Sequence, residues 1–286
     1  MPINQNSIQD FNPILHAKSA EYFWKGSGLL SIKTFKNGRA LYQAGQGHFA
    51  VDEGNYLLLN RGQEYSITIE SEVPVESFCI FFPEMIVEEV YHSITTSNEQ
   101  LLDDTILPKR ISVDFVEKTY DDQWLSPTLL QIKSAYLSQN LDTTWLEERL
   151  YELAHGLLQV HRQVHEEISM LQSVRASTRE ELYKRIHIGH EFISAYFNQS
   201  ITLTDVAKAA CLSPNHFLRS YKQMFCMSPH QYLSERRLQE SKRLLLQTDR
   251  PITGICLEVG FQSLSSFSGL FSRRFSMSPS QLRQKR

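Results

Sequence analysis

Residues 213–231 read SPNHFLRSYKQMFCMSPHQ, and residues 263–281 read SLSSFSGLFSRRFSMSPSQ. Shifted by 50 positions, they agree without a gap at Ser213/Ser263, Phe217/Phe267, Phe225/Phe275, Met227/Met277, Ser228/Ser278, Pro229/Pro279 and Gln231/Gln281. Two copies are too few for a solenoid, so the segment carries one supersecondary unit twice. In each copy a serine sits where a helix N-cap is needed, because its hydroxyl can accept from a backbone N–H of the first turn. Pro214 follows the first of these at a position where a missing N–H costs nothing.

Upstream of each stretch the pattern predicts a shorter helix. Thr202-x-x-Asp205 is a capping box, opening a helix that ends near Ala210-Cys211-Leu212, with Leu203, Val206, Ala207 and Ala210 facing inward. The second short helix is expected from about Pro251 to Val259, stopped by Gly260 in a left-handed conformation. The long partner helices bury Phe217, Tyr221 and Phe225 in one copy and Phe267, Leu270, Phe271 and Phe275 in the other. Ser228-Pro229 starts a connecting helix to about Leu246, which carries Arg236, Arg237, Lys242 and Arg243. Helix, tight turn and helix make a helix-turn-helix, here in tandem over 202–225 and 251–275. Such a second helix can enter a DNA major groove, about 12 Å wide.

Charge supports that partner. The 286-residue chain has a net charge of −3, yet residues 1–182 hold 14 Lys and Arg against 26 Asp and Glu, a charge of −12, while residues 183–286 hold 15 against 6, a charge of +9. The basic third suits a polyanion.

The amino-terminal half reads as short strands at Leu30–Phe35, Ala40–Gln43, His48–Val51, Tyr56–Leu59, Tyr65–Glu70 and Val75–Phe82. Asn37-Gly38 is a hairpin turn between the first two. Alternation over Tyr65–Glu70 turns Tyr65, Ile67 and Ile69 to a core. These strands predict an antiparallel sandwich or barrel. Helices follow: one over Leu129–Leu137, and a longer one opened by a Thr144-x-x-Glu147 box. The latter has an apolar stripe at Leu146, Leu150, Leu153, Leu157, His161, Val164 and Ile168 that fits either a dimer seam or packing within the chain. Gln172–Ser177 is the most polar break, and Ser177-x-x-Glu180 is expected to cap a helix to about Phe197. The expected domains are therefore 1–172, a linker at 173–179, and 180–286.

The run LTDVAKAACLSPNHFLRSYKQMF (203–225), its counterpart through SLSSFSGLFSRRF (263–275) and the closing MSPSQLR resemble the AraC/XylS family of bacterial transcription regulators over about 187–286. The resemblance implies an α+β multidomain chain: a cupin-like antiparallel β-barrel with trailing helices for effector binding and dimerisation, then an all-α domain with two helix-turn-helix units. The implied partners are double-stranded DNA, RNA polymerase, a small-molecule effector and a second copy of the chain.

The resemblance puts base contacts at Asn215, Leu218 and Arg219, with His216 on the same outward face. Arg219 can bond guanine O6 and N7 together, and Lys222 suits a phosphate. In the second copy the position of Arg219 holds Gly269, where family members commonly keep arginine. Leu264, Ser265 and Ser268 remain to touch bases, and Arg273 and Arg274 to hold phosphates. The first unit is therefore expected to supply most of the base reading and the second to position the protein.

Rival functions rest on less. A metal-dependent cupin-type enzyme could use His48 and Glu53, but Phe49 and Ala50 follow His48 where a His-x-His pair would be needed, and no catalytic arrangement or cofactor motif is evident. His161 and His165 stand at i, i+4 with no third ligand apparent, which more commonly marks a solvated or packing pair. An effector-binding protein with degraded DNA specificity has only Gly269 in its favour. Tyr42, Phe49, Tyr56 and Tyr65 are candidates to line an effector pocket or to fill a ligandless core. The start MPINQNSIQDF lacks a secretory pattern, and no run is apolar enough for a membrane span. Cys79, Cys211, Cys226 and Cys256 form no C-x-x-C pair, so mostly buried, reduced thiols of a cytoplasmic protein are expected.

Overall fold

The computed structural model describes residues 11–96, 113–171 and 175–285. The start Met1–Asp10 and positions 172–174 of the expected break lie outside them. The chain divides into two compact units; the main body of the first extends to Glu181 and that of the second begins at Leu182, with Gln46–His48 assigned to the second.

The first unit is built on strands β1 (Ile14–Ser27), β2 (Ser31–Lys36), β3 (Ala40–Ala44), β4 (Gly47–Val51), β5 (Tyr56–Leu59), β6 (Glu64–Phe81) and β7 (Thr119–Tyr120). Their order is β4-β3-β6-β2-β5-β7, with β1 also paired to β6. The pairings of β6 with β1, β2 and β3 are antiparallel. Asn37 takes φ 62° in the β2–β3 turn, which the Asn-Gly dipeptide tolerates. Two strand expectations need correction. β1 had no counterpart in the sequence reading, because most of its side chains are exposed or half-buried and so leave no apolar alternation. Tyr65–Glu70 and Val75–Phe82 are one strand, running straight through Pro74.

Why Pro74 does not end it follows from the register. β3 pairs with Tyr65–Thr68 and β2 with Glu76–Phe81, so Pro74 lies between the two partners on that edge. On the other edge the β1 register shifts between Ser19 and Glu21, with Val75 and Glu70 opposite. The missing N–H of Pro74 thus falls at a bulge, where a ladder bond is already absent. The interior cluster comprises Phe35, Ala40, Tyr42, Ala44, Phe49, Val51, Leu57, Leu59, Tyr65, Ile67, Ile69 and Val75, which includes all three residues expected from the alternation.

Helices α1 (Ile86–Thr95), α2 (Ser126–Leu137) and α3 (Thr143–Ser169) follow. The cap of α3 is Asp142, whose side chain accepts from Trp145 N at 3.0 Å. Thr144 is already helical, so the box expected there does not form. The stripe Leu150, Leu153, Leu157, Val164 and Ile168 is buried, and α3 packs against α1 and α2; that face is covered by its own chain.

Helix α4 (Ala176–Tyr196) starts one residue before the cap expected at Ser177, and the division between units falls inside it. The second unit continues with α5 (Leu203–Ala209), α6 (Pro214–Phe225), α7 (Pro229–Gln247), α8 (Ile252–Glu258), α9 (Leu264–Phe275) and α10 (Pro279–Gln284). Its core draws Val206, Phe217, Tyr221, Leu245, Ile255, Phe267 and Phe271 together. Gly189 on α4 is required here: a Cβ would stand 2.4 Å from the Phe217 ring. Among the described residues, no helix is long and apolar enough to cross a membrane. All four cysteines are free. Contrary to expectation only Cys79 and Cys256 are buried; Cys211 and Cys226 are exposed at left-handed turn positions, with φ 52° and 54°.

Candidate nucleic-acid interface

The residues that reveal the repeat are the ones that build it. Thr202 caps α5 through a full capping box with Asp205. Ser213 and Ser263 cap α6 and α9, accepting from His216 N and Ser266 N at 3.4 Å each. Both helices close on a left-handed residue, Cys226 in one and Ser276 in the other. Ser228 and Ser278 then open α7 and α10 through boxes with Gln231 and Gln281. Phe217 and Phe267 are fully buried. Apart from Met227 and Met277, the shared residues thus spend their chemistry on caps and core.

Where the copies differ, Tyr221 and Phe271 are buried and complete the core, while the residues expected to meet DNA turn outward. On α6, Asn215, Arg219 and Lys222 are exposed, and His216 and Leu218 are half-buried. Neither Arg219 nor Lys222 has an ion pair or hydrogen bond among the described residues, so both can meet an outside anion. The turn before α6 is held from within: Arg185 on α4 donates from Nη1 to Cys211 O at 3.1 Å.

On α9, Leu264, Ser265, Gly269, Arg273 and Arg274 are exposed and Ser268 is half-buried. A Cβ at Gly269 would meet nothing within 4 Å, so packing does not explain the glycine. Ser265 Oγ lies 3.1 Å from Ser263 Oγ. Arg274 is engaged, its Nε donating to both carboxylate oxygens of Glu235 on α7 at 2.8 Å. That guanidinium holds the Glu235 carboxyl below its ordinary range. Arg273 has no partner among the described residues. Glu235 went unread in the sequence, since a contact spanning 39 residues leaves no periodic signal. The connecting helix is anchored as well: Arg237 donates to Phe197 O at 2.7 Å and Gln199 O at 2.8 Å.

In the first unit the structure brings Tyr42, Phe49 and Tyr65 into one cluster. Tyr56 does not join them; its hydroxyl donates to Asp122 and its ring stacks on Tyr120. The sequence reading also missed Lys33, which is 2% exposed on β2 opposite Cys79. Its ammonium lies 3.9 Å from the Phe81 ring centroid, with no carboxylate partner among the described residues. Burial pushes its pKa down. A lysine on an otherwise apolar strand usually marks the solvent face, so sequence gave no cue. Glu53 accepts from Asn37 N at 2.7 Å, serving the hairpin turn. No three His, Cys, Asp or Glu side chains among the described residues form a group able to hold a metal ion.

A family profile described as a helix-turn-helix domain matches residues 206–285. The probable transcriptional regulator LumQ of Photobacterium leiognathi is 28% identical over 205 residues, 66% of this chain and 74% of that protein. The virulence regulon transcriptional activator VirF of Yersinia enterocolitica is 24% identical over 246 residues, 86% of each chain. Among solved structures, the C-terminal domain of AraT, a response regulator from Geobacillus stearothermophilus, is 31% identical, covering 36% of this chain and 85% of that one with a TM-score of 0.34.

Proposed function

On the premise that this chain belongs, through its C-terminal domain, to the AraC/XylS family of transcription regulators, we propose how that domain reads DNA. The protein is a DNA-binding transcription regulator. Helices α6 and α9 enter successive major-groove segments, and α7, about 28 Å long at 1.5 Å per residue, separates them by the order of one DNA turn. Asn215, His216, Leu218 and Arg219 read bases at one segment, and Leu264, Ser265 and Ser268 make the weaker contacts at the other. Lys222 and Arg273 take phosphates; Arg274 takes one while leaning on Glu235. The observation that carries this reading is the division of labour in the repeat, with the shared serines and phenylalanines capping and packing while Asn215, Arg219, Lys222, Leu264, Ser265 and Arg273, none of them shared, face out.

The domain limits proposed above, 1–172 and 180–286, make the first unit the sensor. Its aromatic interior at Tyr42, Phe49 and Tyr65 supports a small-molecule effector there, with Tyr56 outside that cluster. Dimerisation, contact with RNA polymerase and action in the cytoplasm belong to the same proposal. A mobility shift with DNA from upstream of the protein's own gene tests it. Specific binding that falls by orders of magnitude between about 50 and 200 mM salt is expected, as when six or so phosphates are contacted. A shift that is insensitive to salt, or indifferent to sequence, would overturn it.

A further inference from the structure

Outside the DNA-facing surface, one pair of side chains is arranged for chemistry that the regulator reading does not use. His161 and His165 lie one turn apart on α3, and their Nε2 atoms are 3.1 Å from each other. Two nitrogens bound to one ion at about 2.05 Å each would stand about 2.9 Å apart at a right angle and about 3.3 Å apart at the tetrahedral angle. The observed separation falls between these limits, so the two nitrogens already stand at the spacing a shared ion requires. We propose that His161 and His165 form a two-nitrogen site for a divalent late transition-metal ion such as Zn2+ or Ni2+, with water completing the coordination.

The surroundings hold the first ligand in place. The His161 ring stands edge-on to Phe115, at 5.9 Å between centroids and 83° between planes. Phe115 is itself fixed: Asn60 Nδ2 donates to its carbonyl at 2.8 Å, and its N–H donates to Asn60 Oδ1 at 2.9 Å. That pinned strip limits the His161 ring before any ion arrives, which lowers the ordering cost of binding. Burial, and after it the neighbouring His165, pushes the His161 pKa down, outweighing the Asp114 and Glu180 carboxylates. Imidazole nitrogen suits zinc, nickel and copper rather than magnesium or calcium. Without metal, one Nε2–H donates to the other ring's Nε2. Coordination needs both lone pairs, so the donor ring transfers its proton to Nδ1 through water, with no net proton release. No third His, Cys, Asp or Glu completes the set among the described residues, which sets the affinity at that of a two-ligand chelate and leaves positions open.

The test is calorimetric titration of tag-free, chelator-treated full-length protein with NiCl2 and ZnSO4. One ion per chain is expected. His161→Asn and His165→Asn are each expected to weaken binding tenfold or more, while His155→Asn, an exposed histidine on the same helix, leaves it unchanged. Circular-dichroism melts of each variant without metal show whether it is folded. If a His161 variant does not fold, His165→Asn carries the test, since that residue is exposed. MgCl2 is expected to give no heat at this site. Folded His165→Asn protein with unchanged stoichiometry and affinity would overturn the proposal, as would an equal loss from His155→Asn.

Discussion

At residue scale, Arg219 and Gly269 occupy one position of the repeat and face outward alike, yet only one carries a side chain. Arg219 has no partner within the described protein, so truncating it disturbs no fold contact. Arg219→Ala is expected to cost about 1–3 kcal/mol on the specific site and much less on random DNA; equal losses in mobility shifts would remove its base-reading role. Gly269 is open on its outer side. Gly269→Ala should stabilise the protein by up to about 1 kcal/mol through helix propensity, read by urea melts. Gly269→Arg should tighten DNA binding and steepen its salt dependence by about one phosphate. Tighter packing or unfolding on Gly269→Ala would show that the glycine has a structural purpose after all.

Lys33 belongs to the same scale. A buried ammonium without a carboxylate is destabilising, and burial lowers its pKa below the ordinary 10.5. Between its folded and unfolded pKa values the unfolded chain binds the extra proton, so this group makes stability rise as pH climbs through that window. Lys33→Met is expected to add about 1–3 kcal/mol at neutral pH and to flatten the rise toward pH about 10. Urea melts at the two pH values measure both, and a less stable variant at neutral pH would refute the account.

At element scale, what was legible in the sequence was chemistry confined to a few neighbouring residues. Thr202, Ser213, Ser228 and Ser263 cap the helices predicted for them, because an N-cap bond spans only three residues; Ser278, the repeat of Ser228, caps one more that was not predicted. Ser228→Ala and Ser278→Ala should each cost about 1 kcal/mol in melts. β1 stayed illegible because its partner residues on β6 lie 37 to 66 positions away and its own side chains carry no burial pattern. Thr144 misled because Asp142, two residues earlier, offers a carboxylate to the same turn. Lys33 and Glu235 were missed for one shared reason: their neighbours come from other elements. Gly189 extends the point. It reads as a helix weakness in sequence, yet the Phe217 ring occupies the space of its Cβ. Gly189→Ala should therefore destabilise by about 1–3 kcal/mol through overpacking, and Phe217→Leu should recover part of that loss in a double-mutant cycle.

At the scale of the whole molecule, the two units have separate interiors. The cluster around Phe217 and Phe267 is drawn from residues 182–282, and the cluster around Phe49 and Ile67 lies within residues 24–75. A fragment covering 176–286 keeps α4 whole, together with every buried contact of the former cluster, and is expected to fold alone with helical circular dichroism. It also leaves behind nearly all of the −12 charge of residues 1–182 while retaining the +9 of 183–286. On random-sequence DNA, where phosphate attraction supplies essentially all of the affinity, the fragment should bind more tightly than the intact chain at about 50 mM salt. The difference should shrink as salt is raised, because screening weakens attraction and repulsion together. Mobility shifts over a salt series decide it. Equal affinities at low salt would mean that the acidic unit is held too far from the DNA for its charge to be felt, beyond a Debye length of about 10 Å. The intact chain would then gain its specificity without any electrostatic penalty on encounter.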